Sequence, residues 1–93
     1  MIVSVRDKRI AIIMAGILPA RFPANLMRAT QKAVRALESA VDIEDLRQPP
    51  SNRLEALRGD RAGQLSIRIN LQWRLCFRWS EHGAEDVEIV DYH

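Results

Sequence analysis

From residue 64 to the last residue, apolar and polar side chains alternate with a period of two. Leu65, Ile67 and Ile69 alternate with Gln64, Ser66, Arg68 and Asn70; Trp73, Leu75, Phe77 and Trp79 alternate with Arg74, Cys76 and Arg78. Val87, Ile89 and Asp91 then stand against Glu88, Val90 and Tyr92. Such alternation predicts strands with one buried face. Turns near Asn70–Leu71 and at Glu81–Gly83 make the three strands an antiparallel meander. Leu54 and Leu57 anchor a further strand ending at Gly59–Asp60, and Met1–Val5 reads as a short β-branched strand.

The first half carries a helical period instead. Asp7 is placed to cap a helix running to about Ala15, with Gly16 and Pro19 ending it. That helix is apolar nearly all round, so either the fold or a partner must cover more than one face. Pro23 opens a longer helix to about Ala40, on which Leu26, Thr30, Ala33, Leu37 and Val41 form the packed face. Arg28, Lys32, Arg35 and Ser39 form a stripe on its other side, a solvated face or a nucleic-acid contact. Asp42 and Asp45 suit a single capped helical turn before Pro49–Asn52 forces a loop. The expected fold is α+β: a small, twisted, mostly antiparallel sheet with two N-terminal helices packed on one face. At 93 residues, 1–93 forms a single domain.

Charge sharpens this picture. Residues 53–79 carry Arg53, Arg58, Arg61, Arg68, Arg74 and Arg78 against Glu55 and Asp60, whereas 80–93 carry acids and no Lys or Arg. An arginine block without lysine favours a phosphate or nucleic-acid partner, because the planar guanidinium binds phosphate in bidentate fashion. Cys76 is the single cysteine, which excludes an intrachain disulfide and points to a reducing cytoplasm. The apolar run Ile10–Leu18 behind Arg6, Lys8 and Arg9 resembles a signal peptide superficially. It is far short of the roughly 20 residues that span a bilayer. No membrane association is expected.

There is no Gly-rich phosphate loop, no metal-ligand spacing and no Ser/His/Asp signature, so no cofactor and no metal are expected. What remains is arginines on neighbouring strands and a closing Asp91-Tyr92-His93. RNA cleavage by its own 2′-hydroxyl asks for a proton acceptor, a proton donor and cations around the phosphate. His93 or Asp91 suits proton transfer, Arg74 and Arg58 suit phosphate binding, and Tyr92 suits base stacking; Arg61, Arg68 and Arg78 extend an RNA-binding surface. Each has a plainer reading. Arg74 pairs with Asp91 or Glu88 as a cross-strand ion pair, His93 is an idle terminus, and Tyr92 packs at the sheet edge. Trp73, Phe77 and Trp79 read as core.

The runs RLEALRGDR (53–61), GQLSIRIN (63–70), QWRLCFRW (72–79) and VEIVDYH (87–93) together resemble the HigB-type toxins of the RelE/ParE superfamily. The likeness is specific over about residues 42–93 and weaker through Arg21–Pro23 and Asp7–Lys8. It implies the RelE-like fold and the toxin of a type II toxin–antitoxin pair, a ribosome-dependent mRNA endonuclease (mRNA interferase) that inhibits translation and growth. It further implies a helix-turn-helix HigA-type antitoxin, ribosome and mRNA as partners, and operator DNA reached only through the antitoxin complex. On this resemblance the active surface comprises Arg58, Arg74, Asp91, Tyr92 and His93. Some RNA-cleaving members carry a histidine where Glu55 stands here, and relatives are more polar over Ile10–Leu18, which suggests an antitoxin or self-association surface. The competing reading is a non-catalytic toxin that blocks the ribosome, ribosomal RNA or a topoisomerase; a third is a decayed toxin kept for antitoxin binding.

Overall fold

The computed structural model describes residues 1–92; His93 lies outside the described residues. Two helices, α1 (Arg9–Met14) and α2 (Met27–Ser39), precede strands β1 (Glu55–Ala56), β2 (Leu65–Arg68), β3 (Trp73–Ser80) and β4 (Gly83–Asp91). The strands form one antiparallel sheet in the order β1-β2-β3-β4. Leu65, Ile67, Leu75, Phe77, Val87 and Ile89 meet Ile10, Ile13, Leu26, Val34 and Leu37 of the helical layer in one core. The expected α+β architecture, helices with an antiparallel sheet, is present. Among the described residues no helix is long and apolar enough to cross a membrane.

The N-terminal segment departs from the expected regular strand. It touches β4 only through two isolated parallel bridges, Ile2 with Ala84 and Val5 with Val87. The cause lies in β4, where Cys76 pairs with Glu88 but Arg78 pairs with Glu85, so β4 carries an extra residue in a bulge. Asp86, in the bulge, has φ 55°, and its N–H donates to Ser4 Oγ at 2.9 Å. The kinked edge offers two short pairing sites instead of a continuous ladder. Gly83, at φ 130°, admits the Met1 carbonyl where any side chain would collide with it.

The cap position of α1 falls on Lys8 and not on Asp7, but the Asp7 carboxylate, one residue earlier, accepts from Arg9 N at 3.0 Å and from Ile89 N at 3.0 Å. Arg9 returns two bonds to the same carboxylate, donates to the Ile89 carbonyl at 3.1 Å, and lies 5.7 Å from the Phe22 ring centroid. One carboxylate thus locks helix to sheet. Only one face of α1 is covered by the fold: Ile10 and Ile13 are buried, while Ile12, Met14, Ile17 and Leu18 are exposed. Gly16 ends the helix at φ 83°.

Leu26, in the 3-10 turn leading into α2, and Thr30, Ala33 and Leu37 on α2 are buried as the period predicts, but Val41 is 91% exposed. The chain turns extended at Ala40 (ψ 127°), so Val41 never joins the helical face. The turn at Ile43–Arg47 has the expected capping box between Asp42 and Asp45. The strand expected from Leu54 shrinks to two residues, because Arg53 is left-handed (φ 49°) and the 3-10 turn Gly59–Arg61 begins soon after.

Three outcomes follow from this packing. Ile13→Glu should abolish the cooperative thermal transition, since it places a charge in the core, whereas Ile12→Glu should melt within a few degrees of the wild type. Thr30 Oγ1 is buried without a hydrogen-bond partner among the described residues. Thr30→Val should therefore raise stability by about 1 kcal/mol and Tm by about 5 °C in calorimetry, and a fall would contradict that packing. The third concerns Asp7. Burial pushes its carboxyl up, but the bonds from Arg9 and from the Ile89 and Arg9 amides outweigh burial and hold it below the ordinary value of 3.8. A depressed folded value gives stabilisation that is complete above the unfolded value and disappears as pH falls through the folded one. Unfolding by urea should become easier below about pH 4, and Asp7→Asn should flatten that dependence.

Candidate functional site

The sheet's second face points away from the helices and would ordinarily be wet. Register places Glu55, Ser66, Cys76 and Glu88 in one row across it, and Arg68, Arg74 and Val90 in the next. Yet Ser66 and Cys76 are 0% exposed. A lid of long polar side chains covers them.

Arg74 forms one half of the lid. Its Nε donates to Ser66 Oγ at 2.7 Å and its Nη2 to the Arg53 carbonyl at 2.6 Å. Its Nη1 lies 3.8 Å from Glu55, a looser contact on the solvent side. The left-handed backbone at Arg53 brings that carbonyl within reach. Arg74 therefore does not form the cross-strand pair with Asp91 or Glu88: it stands opposite Val90, and its carboxylate neighbour is Glu55 on the far edge.

Arg61 forms the other half. It leaves the 3-10 turn Gly59–Arg61, and its Nη1 donates to Gln64 Oε1 at 3.0 Å and to Glu88 Oε1 at 2.6 Å. The bond to Glu88 raises the pKa of the guanidinium and keeps it protonated. Tyr92 lies beside the Cys76 thiol, with Arg61 and Arg74 close enough to act on both groups electrostatically. Burial pushes the Cys76 thiol up; burial, then the neighbouring sulfur, pushes the Tyr92 phenol up. Both stay protonated near neutral pH.

The remaining candidates are distributed around this centre. Asp91 is opposite Trp73, shares that residue's side of the sheet by strand alternation, and accepts from Gln72 Nε2 at 2.8 Å. It is thus set apart from the Arg61–Arg74–Tyr92 cluster, although Tyr92 N donates to the Gln72 carbonyl and keeps the two ends adjacent. Arg58 is exposed one turn before Arg61. Arg78 is at the rim, 3.8 Å from Asp86, and its Nη1 lies against Gly63, which holds φ 91°. Arg68 is opposite Arg74 and lines a cavity at the β2 edge. His93 cannot be placed, since it is outside the described residues. Among the described residues no cluster of three or more His, Cys, Asp or Glu side chains is arranged to hold a metal ion.

Sequence reasoning missed Ser66, Gln64 and Glu88, which fix the two arginines. The signal was present in part: Ser66 and Glu88 occupy polar positions of the alternation, where a solvated side chain is the default reading.

The family model for the RelE-like toxin of type II toxin-antitoxin system HigB matches residues 19–93. Toxin HigB-1 of Vibrio cholerae serotype O1 is 42% identical over 57 residues, which covers 61% of this chain and 60% of that protein. Endoribonuclease HigB of Proteus vulgaris is 27% identical over 93 residues, the whole of both chains. The solved YoeB/ParE toxin from Agrobacterium tumefaciens has the same fold, with a TM-score of 0.52 and 21% identity over 99% of this chain and 96% of that one. With most of its length matched by the family model, the chain belongs to the HigB-like family, RelE-like toxins of type II toxin–antitoxin systems.

Proposed function

We propose that this toxin cuts mRNA on the ribosome and that the face covered by Arg61, Arg74 and Tyr92 is the cutting surface. The observation that carries the reading is the pair of guanidiniums anchored from below, on Ser66 and on Gln64 with Glu88, over a dry floor. Cations held at fixed positions stabilise developing charge without reorganising, and dryness strengthens them. The name Endoribonuclease HigB, borne by a relative matched over its full length, supports the same reading.

In this mechanism Arg74 and Arg61 grip the non-bridging oxygens of the scissile phosphate. The 2′-hydroxyl oxygen attacks phosphorus and loses its proton to a carboxylate; Glu55, beside Arg74, is placed for that role, and it takes the place of the histidine that some relatives use. The bond from phosphorus to the 5′-oxygen breaks, and that oxygen takes a proton from His93, the side chain following Tyr92. The products are a 2′,3′-cyclic phosphate and a 5′-hydroxyl. Tyr92 donates a hydrogen bond or stacks on the neighbouring base. Asp91 orients the end of β4 through Gln72. Arg58 and Arg78 extend the cationic rim. No step uses a metal ion. The partners on this reading are a helix-turn-helix HigA-type antitoxin, the ribosome and mRNA in the cytoplasm, with operator DNA reached through the antitoxin complex.

Induced expression followed by primer extension on a translated and an untranslated copy of one mRNA tests this. Cuts are expected in the translated copy alone. Arg74→Ala should reduce cutting at least about a hundredfold, and Ser66→Ala, which leaves Arg74 charged but loosened, about tenfold with little change in Tm. Growth arrest without cuts would instead establish a toxin that blocks its target by binding.

A further inference from the structure

Past the short β1, which pairs only with Leu65 and Ser66, no strand among the described residues pairs with the edge of β2. A cavity of 340 Å³ opens there, between α2, the turn at Pro50–Asn52 and the end of β2. Its size is that of a small-ligand site. Lys32 and Arg68 both line it, and no carboxylate does. Neither cation forms an ion pair among the described residues.

The walls are already arranged. Asn52 lines the cavity, with its amide nitrogen donating to the Leu46 and Gln48 carbonyls at 3.2 Å each, which fixes the turn. Asn70 spends its Oδ1 on the Gln72 and Trp73 amides, at 2.8 and 2.7 Å, so its NH₂ group is the end left for a ligand. Ser51 adds a hydroxyl, and Ala29 and Ile69 give an apolar wall. Two cations, an amide donor and a hydroxyl around a space free of acids define an anion site with room for more than the anion.

Its place in the fold identifies the anion. Arg68 stands directly opposite Arg74 across β2 and β3. Arg74 has Glu55 beside it but Arg68 has no carboxylate among the described residues, so a ligand with regularly spaced negative charges relieves the repulsion between them. We propose that this cavity is a second phosphate site, in which Lys32, Arg68 and Asn70 hold a backbone phosphate of the RNA neighbouring the one on Arg74, with the attached nucleoside against Ala29 and Ile69. The proposal rests on the RNA-cutting reading and adds a subsite that sets how the strand is threaded. It also divides the α2 stripe: Lys32 binds the strand, whereas Arg28 and Arg35 lie outside the cavity.

The test is fluorescence anisotropy with a labelled single-stranded 2′-O-methyl RNA hexamer, which lacks the attacking hydroxyl and stays intact. Lys32 is exposed on a helix, so Lys32→Ala should fold, and its thermal melt checks this. Lys32→Ala should weaken binding about tenfold and reduce the slope of log affinity against log salt by about 0.7, one single-strand phosphate. Arg28→Ala and Arg35→Ala should stay within about twofold. Equal losses for all three variants would show diffuse attraction and overturn the site. Wild-type binding by Lys32→Ala with weakened binding by Arg74→Ala would overturn the second site and leave the cutting face intact. Wild-type binding by both would overturn the RNA reading together with the site. Titration with inorganic phosphate gives the last arm. Shifts of the Asn70 side-chain amide without any loss of RNA affinity in Lys32→Ala would assign the cavity to free phosphate and overturn the RNA assignment.

Discussion

The organisation of this protein depends on keeping the second face of its sheet dry. Ser66 and Cys76 lie on the side away from the helices, in line with Glu88, and both are sealed from water. No apolar layer covers them. Two arginines and a tyrosine do, each able to cover apolar surface with its stem or ring while its polar end finds a partner. Burial of Ser66 and Glu88 is tolerated because Ser66 accepts from Arg74 and Glu88 accepts from Arg61.

This seal and the proposed chemistry are the same structure seen from two sides. From below, the bonds to Ser66, Gln64, Glu88 and the Arg53 carbonyl fix the guanidiniums. From above, those guanidiniums present charge at set positions to whatever anion arrives. Glu55, held loosely at 3.8 Å from Arg74, is a carboxylate on the solvent side of that arginine. On the proposed function, a carboxylate there would accept a proton as a histidine would, yet it would also compete with phosphate for Arg74.

Periodicity carried most of the fold. The alternation from Leu65 to Ile89 located three strands and their turns, and the helical period from Leu26 to Leu37 located the packed face of α2. It failed where backbone geometry broke the period: at Ala40, which frees Val41, and at Arg53, which shortens β1. It also gave no warning of the bulge at Asp86, which reduces Met1–Val5 to two bridges. At the site, Arg74 and Tyr92 were legible as candidates, but their partners were not. Arg61 reaches Glu88 across 27 positions, and Arg74 reaches the Arg53 carbonyl across 21. Such contacts follow from register and turn geometry, on which local spacing is silent. Asp91 and Tyr92 looked equivalent as neighbours, yet alternation sends them to opposite sides of β4.

The central claim is that a 2′-hydroxyl, activated on this face, does the cutting. It is tested most directly by the chemistry of the new RNA ends, read by mass spectrometry of fragments made in a translating extract. The account predicts a 2′,3′-cyclic phosphate upstream and a 5′-hydroxyl downstream at every cut made by the wild-type protein and missing with Arg74→Ala. A 3′-hydroxyl facing a 5′-phosphate would contradict it, because that outcome requires water, and not the RNA's own hydroxyl, as the nucleophile.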